Sequence, residues 1–207
     1  MQQNQEKIAG LLLAAGASTR MGKPKQLLPA DGGTLLDRVL GEALKSNLDK
    51  VVLVLGHQAG EIKIGLGQIL EHPKLKVIEN RQYKQGISSS IIAGLLEVKE
   101  SYNHGMILLA DMPYINSDLI NLLIHRYLDS GLPIGAIQVG KKRSHPVIFS
   151  RKLYHELLKL RGDMGARALF QKYGNLVCLV ESEEFYDDRD IDTPEDYMKF
   201  QKVLEDA

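Results

Sequence analysis

The 207-residue chain has one cysteine, no tryptophan, no net charge and no long apolar run. Cys178 has no second cysteine to pair with, so internal disulfides are excluded and a reducing compartment is expected. Basic and acidic side chains number 26 each. That balance removes the non-specific attraction to nucleic acid or an anionic membrane, and neither is expected as a partner. The longest apolar run, Ile8 to Ala15, spans eight residues, far short of the roughly 20 needed to cross a bilayer. Met1 to Lys7 is polar and carries no hydrophobic signal core, so the expected location is cytoplasmic. A hydrophobic fraction of 44% and a charged fraction of 25% exclude a disordered chain.

What is present is alternation. Short apolar runs at Ile8–Leu13, Val51–Leu55, Lys76–Ile78, Met106–Ala110, Ile134–Val139, Val147–Phe149 and Leu176–Val180 predict strands. Most are apolar throughout, as in a sheet covered on both faces. Helical patterns lie between them, at Thr34–Lys45, Gly60–Glu71, Ser88–Lys99, Ser117–Asp129, Arg151–Leu160 and Met164–Tyr173. A last helix over Pro194–Glu205 is marked by Thr193 as N-cap, Pro194 at its first position and Asp196 in its first turn. The alternation predicts a single α/β domain over 1–207 with a mostly parallel sheet. After Gly140 it loosens, and an added strand or hairpin is expected there. Ligands of such sheets bind beyond the carboxyl ends of the strands. Three of those ends carry chemistry: Ala14–Lys25, Asp111–Pro113 and Asp190–Asp192.

The first of these loops combines small residues with charge. Ala14, Ala15, Gly16, Ala17, Ser18, Met21 and Gly22 let backbone N–H groups approach an anion, while Arg20, Lys23 and Lys25 supply three cations within six positions. Five residues separate Gly16 from Gly22 and Pro24 follows Lys23, so this is not a Walker loop. No G-x-G-x-x-G pattern opens a helix after this strand, no Cys/His grouping has zinc spacing, and no G-x-S-x-G elbow is present. Asp111, delivered by an apolar strand, suits a metal site or a turn cap. Asp192 suits a metal site or a cap for the last helix, with Asp190 as a near alternative. Gly86, Ser88, Ser89 and Ser90 form a Gly/Ser helix start that suits phosphate, a sugar, or simple capping. His145 suits either a ligand or a structural role. Asp163 and Arg167, four apart, are spaced for a helical ion pair.

The run from Leu12 to Lys25, L-A-A-G-x-S-x-R-M-G-x-x-K from Leu13, resembles the signature loop of the nucleotidyltransferase family that includes molybdenum cofactor cytidylyltransferase. The resemblance continues in order through Asn80–Leu95, Leu109–Pro113, His145-Pro146-Val147, Gly162–Arg167 and Asp190–Asp196. It implies a Rossmann-like (GT-A-like) three-layer sandwich and transfer of CMP from CTP to the phosphate of molybdenum-molybdopterin, with pyrophosphate leaving. Ala14-Ala15-Gly16 is closer to the CTP-using members than to the GTP-using ones. The implied site has Lys25 and Arg20 as catalytic cations. Leu13, Ala14, Ala15, Gly16, Ala17, Ser18, Arg20, Met21, Gly22, Lys25, Gly86, Ser88 and Ser89 surround the nucleotide. Asp111 and Asp192 hold Mg²⁺, and Ser90, His145, Asp163 and Arg167 meet the acceptor. A molybdenum hydroxylase is the implied client. The competing readings are transfer to a sugar or isoprenoid-precursor phosphate, a cofactor-binding maturation partner without catalysis, and a pterin- or nucleotide-linked oxidoreductase.

Overall fold

The computed structural model describes residues 6–182 and 186–205. Residues 1–5, which carry most of the polar start noted above, lie outside them.

The centre of the molecule is β1 (Ile8–Ala14), a strand buried along its whole length. Its helix α1 (Leu35–Lys45) starts from a capping box in which Thr34 and Asp37 exchange hydrogen bonds. A two-stranded ribbon, β2 (Pro29–Ala30) and β3 (Gly33–Thr34), precedes α1. Such short pairs leave no periodic signal, and the sequence reading does not include it. Next come β4 (Lys50–Leu55), α2 (Ala59–Leu66) and β5 (Leu75–Glu79). Helix α2 stops early because Gly67 turns left-handed (φ 54°), and a 3-10 turn covers Gly67–Glu71. Helix α3 (Ile87–Val98), β6 (His104–Leu109), α4 (Ser117–Ser130) and the hairpin β7 (Ile134–Val139)–β8 (Lys142–Ser150) follow. The basic stretch after Gly140 therefore belongs mostly to a strand, with only Gly140 and Lys141 between the paired ends Val139 and Lys142. Short helices α5 (Tyr154–Leu157) and α6 (Arg167–Lys172), strand β9 (Val177–Glu181) and α7 (Pro194–Glu205) complete the chain.

The seven-stranded sheet has the order β5-β4-β1-β6-β8-β7-β9. Only β8 runs against its neighbours, pairing antiparallel with both β6 and β7. Helices α1, α2 and α4 cover one face, with Val39, Ile62 and Ile120 among their fully buried residues. Helices α3, α5 and α6 cover the other, through Ile91, Leu157 and Leu169. The chain leaves β1 toward β4 and β5, then returns to β6 on β1's other side. Right-handed crossovers in opposite directions put α1 and α3 on opposite faces. They open a crevice at the carboxyl ends of β1 and β6. The result is the expected three-layer α/β sandwich around a mostly parallel sheet. Among the described residues no helix is long and apolar enough to cross a membrane.

Candidate active site

A cleft of about 390 Å³ opens at that crevice. Its wall includes Leu13, Ala14, Ala15, Gly16, Ser18 and Arg20 from the loop after β1, and Lys25 from the turn that follows. Gly86 and Ser90 contribute from the start of α3, and Asp111, Asp163 and Asp192 from three further segments.

Charge is concentrated at one end. The Lys25 ammonium donates to Asp111 Oδ2 at 2.7 Å and to Asp192 Oδ1 at 2.6 Å. The Arg20 guanidinium reaches Asp192 Oδ2 at 3.1 Å. Burial opposes the charge on Lys25, but the Asp111 and Asp192 carboxylates outweigh it and hold the ammonium's pKa above its usual value. Asp190 stands beside them. Carboxylate oxygens of Asp111, Asp190 and Asp192 all lie within 4.8 Å of one another. Burial, then the neighbouring charges of Asp192 and Asp111, push the Asp190 pKa up. Asp111 Oδ1 is buried and has no hydrogen-bond partner among the described residues. Three hard oxygen donors, one of them an orphan, fit a divalent cation such as Mg²⁺ or Mn²⁺. The two sequence alternatives, Asp190 and Asp192, thus belong to one cluster.

The polypeptide holds these groups by several ties. The Ile191 N–H donates to the Asp111 carbonyl at 2.8 Å, docking the 190–192 segment onto the end of β6. Thr193 and Asp196 form the capping contacts of α7, with Thr193 N–H on Asp196 Oδ2 at 2.9 Å and Asp196 N–H on Thr193 Oγ1 at 3.2 Å. Capping of α7 therefore falls to Thr193 and Asp196, and the Asp192 side chain turns to Lys25 and Arg20. The loop itself is shaped by Gln26, 3% exposed, whose amide donates to the carbonyls of Ala14 and Gly16. Ser18 takes a left-handed conformation (φ 51°) and its hydroxyl accepts the Lys25 N–H at 3.2 Å. Gly56, at the end of β4, has no room for a side chain: a Cβ there would stand 2.8 Å from the Ala15 carbonyl. Sequence reasoning missed Gln26, Thr19, Tyr83 and Gly56. Of these, Gln26 had a faint signal, as an amide flanked by the charged loop and the apolar Leu27-Leu28.

Several expected site residues do not reach the cleft wall. Ala17 and Gly22 stand outside it, and Met21 packs against the small cluster of Leu28, Leu35 and Phe200, anchoring the loop. Ser88 is buried, its hydroxyl unpartnered among the described residues. Ser89 is tied to the carbonyl of Gly86 at 2.8 Å. His145, on β8, has its pKa lowered by burial; its ring nitrogen Nδ1 stands 3.5 Å from the Ile107 carbonyl, and its own carbonyl accepts the Tyr186 hydroxyl at 3.0 Å. Arg167 is exposed at the start of α6. It does not share a helix with Asp163, because Gly165 turns left-handed (φ 52°) between them. Asp163 instead accepts the Ile87 N–H at 3.3 Å.

Gly86 lets that contact form. It sits at φ 93°, and a Cβ there would lie 2.5 Å from both Asp163 Oδ1 and the Gly162 carbonyl carbon. Gly86→Ala is expected to destabilise the fold by roughly 1–3 kcal/mol, from left-handed strain and the clash together. It should also weaken ligand binding at the cleft. Urea denaturation reads the first effect, and an unchanged midpoint would refute it.

A larger cavity of about 960 Å³ lies between α1, the start of α4 and the C-terminal segment. Each cation on its wall is already paired, Arg38 with Asp31, Lys45 with Glu42 and Arg189 with Asp187. Size therefore does not identify the site; the unsatisfied carboxylate and the facing cations do.

Cations set against clustered carboxylates, at the carboxyl edge of a mostly parallel sheet, suit a phosphate-bearing ligand together with a divalent cation. The chain belongs to the MobA-like NTP transferase domain family, which residues 10–176 match. It is 26% identical over 189 residues to the molybdenum cofactor cytidylyltransferase of Escherichia coli K12, covering 91% of this chain and 93% of that one. It is 28% identical over 195 residues to the nicotine blue oxidoreductase of Paenarthrobacter nicotinovorans, covering 91% and 93%. A crystal structure of Rv0371c from Mycobacterium tuberculosis H37Rv in complex with manganese superposes with a TM-score of 0.78 at 27% identity, covering 97% of this chain and 100% of that one.

Proposed function

We propose that the protein transfers a nucleotidyl group from a nucleoside triphosphate to a phosphate-bearing acceptor, with CTP and molybdenum-molybdopterin as the pair. The observation that carries this reading is the meeting of Lys25 and Arg20 with Asp111 and Asp192 around one cleft. An oxygen of the acceptor's terminal phosphate attacks the α-phosphorus. The bond from that phosphorus to the bridging oxygen breaks, and pyrophosphate leaves with the electron pair. Both substrates bring their own nucleophile and leaving group, so the protein needs no covalent intermediate. Its task is alignment and charge stabilisation. Lys25 neutralises the reacting phosphates, Arg20 holds the triphosphate, and the Ala14–Gly16 backbone borders the nucleotide. Asp111 and Asp192, with Asp190 beside them, would hold Mg²⁺, which would supply Lewis-acid stabilisation of the phosphate oxygens. Asp163, His145 and Arg167 are assigned to the acceptor. The similarity to a molybdenum cofactor cytidylyltransferase supports the choice of pair. A cytoplasmic setting and a molybdenum hydroxylase client complete the proposal.

The test is pyrophosphate release with Mg²⁺ and each of CTP, GTP, UTP and ATP, against molybdenum-molybdopterin and against sugar and isoprenoid-precursor phosphates. Release with CTP and the pterin alone is the expected result. Release only with another acceptor replaces the pterin. Nucleotide binding without release under any pairing overturns catalysis in favour of a maturation partner. Oxidation of NAD(P)H in the same mixtures would support an oxidoreductase instead.

A further inference from the structure

Asn80 follows β5 directly, is 6% exposed, and anchors to the neighbouring strand through its N–H on the Leu55 carbonyl at 2.7 Å. Its side-chain oxygen accepts the Gln82 N–H at 2.9 Å. Its amide nitrogen donates to Ser89 Oγ at 2.8 Å and to Ser90 Oγ at 3.0 Å. A backbone N–H can only donate, so the Gln82 contact fixes the amide orientation: oxygen toward the loop, both N–H groups toward the serines. Each serine oxygen that accepts from Asn80 must turn its own proton elsewhere. Ser89 spends its proton locally, on the Gly86 carbonyl at 2.8 Å or the Gln82 carbonyl at 3.0 Å. Ser90 is 4% exposed, borders the cleft, and has no acceptor for its proton among the described residues.

The position of Ser90 indicates what it meets. The charged groups Lys25, Asp111 and Asp192 gather at the β6 end of the cleft. Ser90 and Tyr83 follow β5, which lies beyond β4 on the other side of β1, and bring no charge, while Asp163, which meets the start of α3 at the Ile87 N–H, adds a carboxylate that repels phosphate. On the nucleotide reading of this cleft, on which the inference rests, the triphosphate occupies the end that holds the cations and the nucleoside the end that lacks them. We infer that Asn80 is a positioning residue: by donating to the Ser90 oxygen, it aims the Ser90 proton into the cleft as a donor to an acceptor atom of the bound nucleoside, and not to the acceptor substrate, where the family resemblance puts Ser90.

The arrangement can be reversed with little change of shape. In Asn80→Asp one carboxylate oxygen still accepts from Gln82, while the other can only accept and draws the Ser90 proton away from the cleft. CTP binding to the full chain with Mg²⁺ is measured by calorimetry for the wild type, Asn80→Asp, Ser90→Ala and the double variant. Each single change is expected to weaken CTP about five- to tenfold, the cost of one neutral hydrogen bond. The double variant should bind no more weakly than Ser90→Ala alone, because no proton remains to be aimed. Should Asn80→Asp fail to fold, Asn80→Ala replaces it in the same cycle, with a smaller loss expected that again disappears beside Ser90→Ala. Equal losses in both backgrounds would assign Asn80 a structural or purely electrostatic role and overturn the inference, as would unchanged binding in Asn80→Asp. A wild-type protein that binds none of the four triphosphates would refute the nucleotide reading itself.

Discussion

Replacing Lys25 by alanine is expected to lower turnover by roughly 10²–10³-fold, the scale of losing one transition-state donor. The physical basis is the position of its side chain, only 13% exposed, with the ammonium within 2.7 Å of two carboxylates from different segments. A cation fixed there stabilises charge that develops on phosphate without having to reorganise when it does. The loss should fall on kcat, because the charge it stabilises grows between the bound ground state and the transition state. Lys25→Arg should recover part of the rate: it keeps the charge but delivers it through a broader, planar group. Circular dichroism and a melting curve would show that the variant is folded. Near-wild-type turnover of Lys25→Ala at saturating substrate would remove Lys25 from the chemistry.

The second large effect is expected at Asp111. Asp111→Asn preserves volume but removes a charge from the three-carboxylate cluster, leaving a neutral amide oxygen that is a weaker donor to a divalent cation. Activity that depends on Mg²⁺ should fall by at least about 10²-fold, the range for a group acting on transition-state charge. Mn²⁺ affinity, measured by electron paramagnetic resonance, should weaken in parallel. Asp190→Asn is the informative companion. Burial and its two acidic neighbours make the charged form of this carboxyl harder to hold than that of an ordinary carboxylate, so its replacement should cost less than that of Asp111. The contribution of Asp190 should also grow as the pH rises through its elevated pKa. An unchanged metal titration in Asp111→Asn would exclude that residue as a ligand.

Much of this site was legible in the sequence because its chemistry is dense and local. Three cations within six residues of a neutral chain, on a glycine-containing loop after an apolar strand, already describe a phosphate cradle. The apolar run that ends at Asp111 likewise places one carboxylate at the sheet's carboxyl edge. The hidden elements are those whose roles depend on contacts between distant segments. Gln26 reads as an unremarkable glutamine until its amide is seen bridging the Ala14 and Gly16 carbonyls. Gly56 gives no motif, because its need to be glycine comes from Ala15, some 40 residues earlier. The spacing of Asp163 and Arg167 misled, since a four-residue interval implies a shared face only if the helix is continuous, and Gly165 breaks it. Ser88 and Ser89 misled for a related reason: neighbours on a helix point in different directions, and among Ser88, Ser89 and Ser90 only Ser90 borders the cleft.

The sequence by itself determined the fold class, the parallel character of the sheet, the edge on which ligands bind and the types of residue that meet there. These follow from periodicity and from the handedness of crossovers, which are properties of short stretches of chain. Only the tertiary structure decided that Lys25 bridges Asp111 and Asp192, that Asp190 joins the same cluster, and that β8 inserts between β6 and β7. Segments up to 167 residues apart make those contacts. Such contacts arise from the packing of two helical layers on one twisted sheet, which no local window of sequence contains.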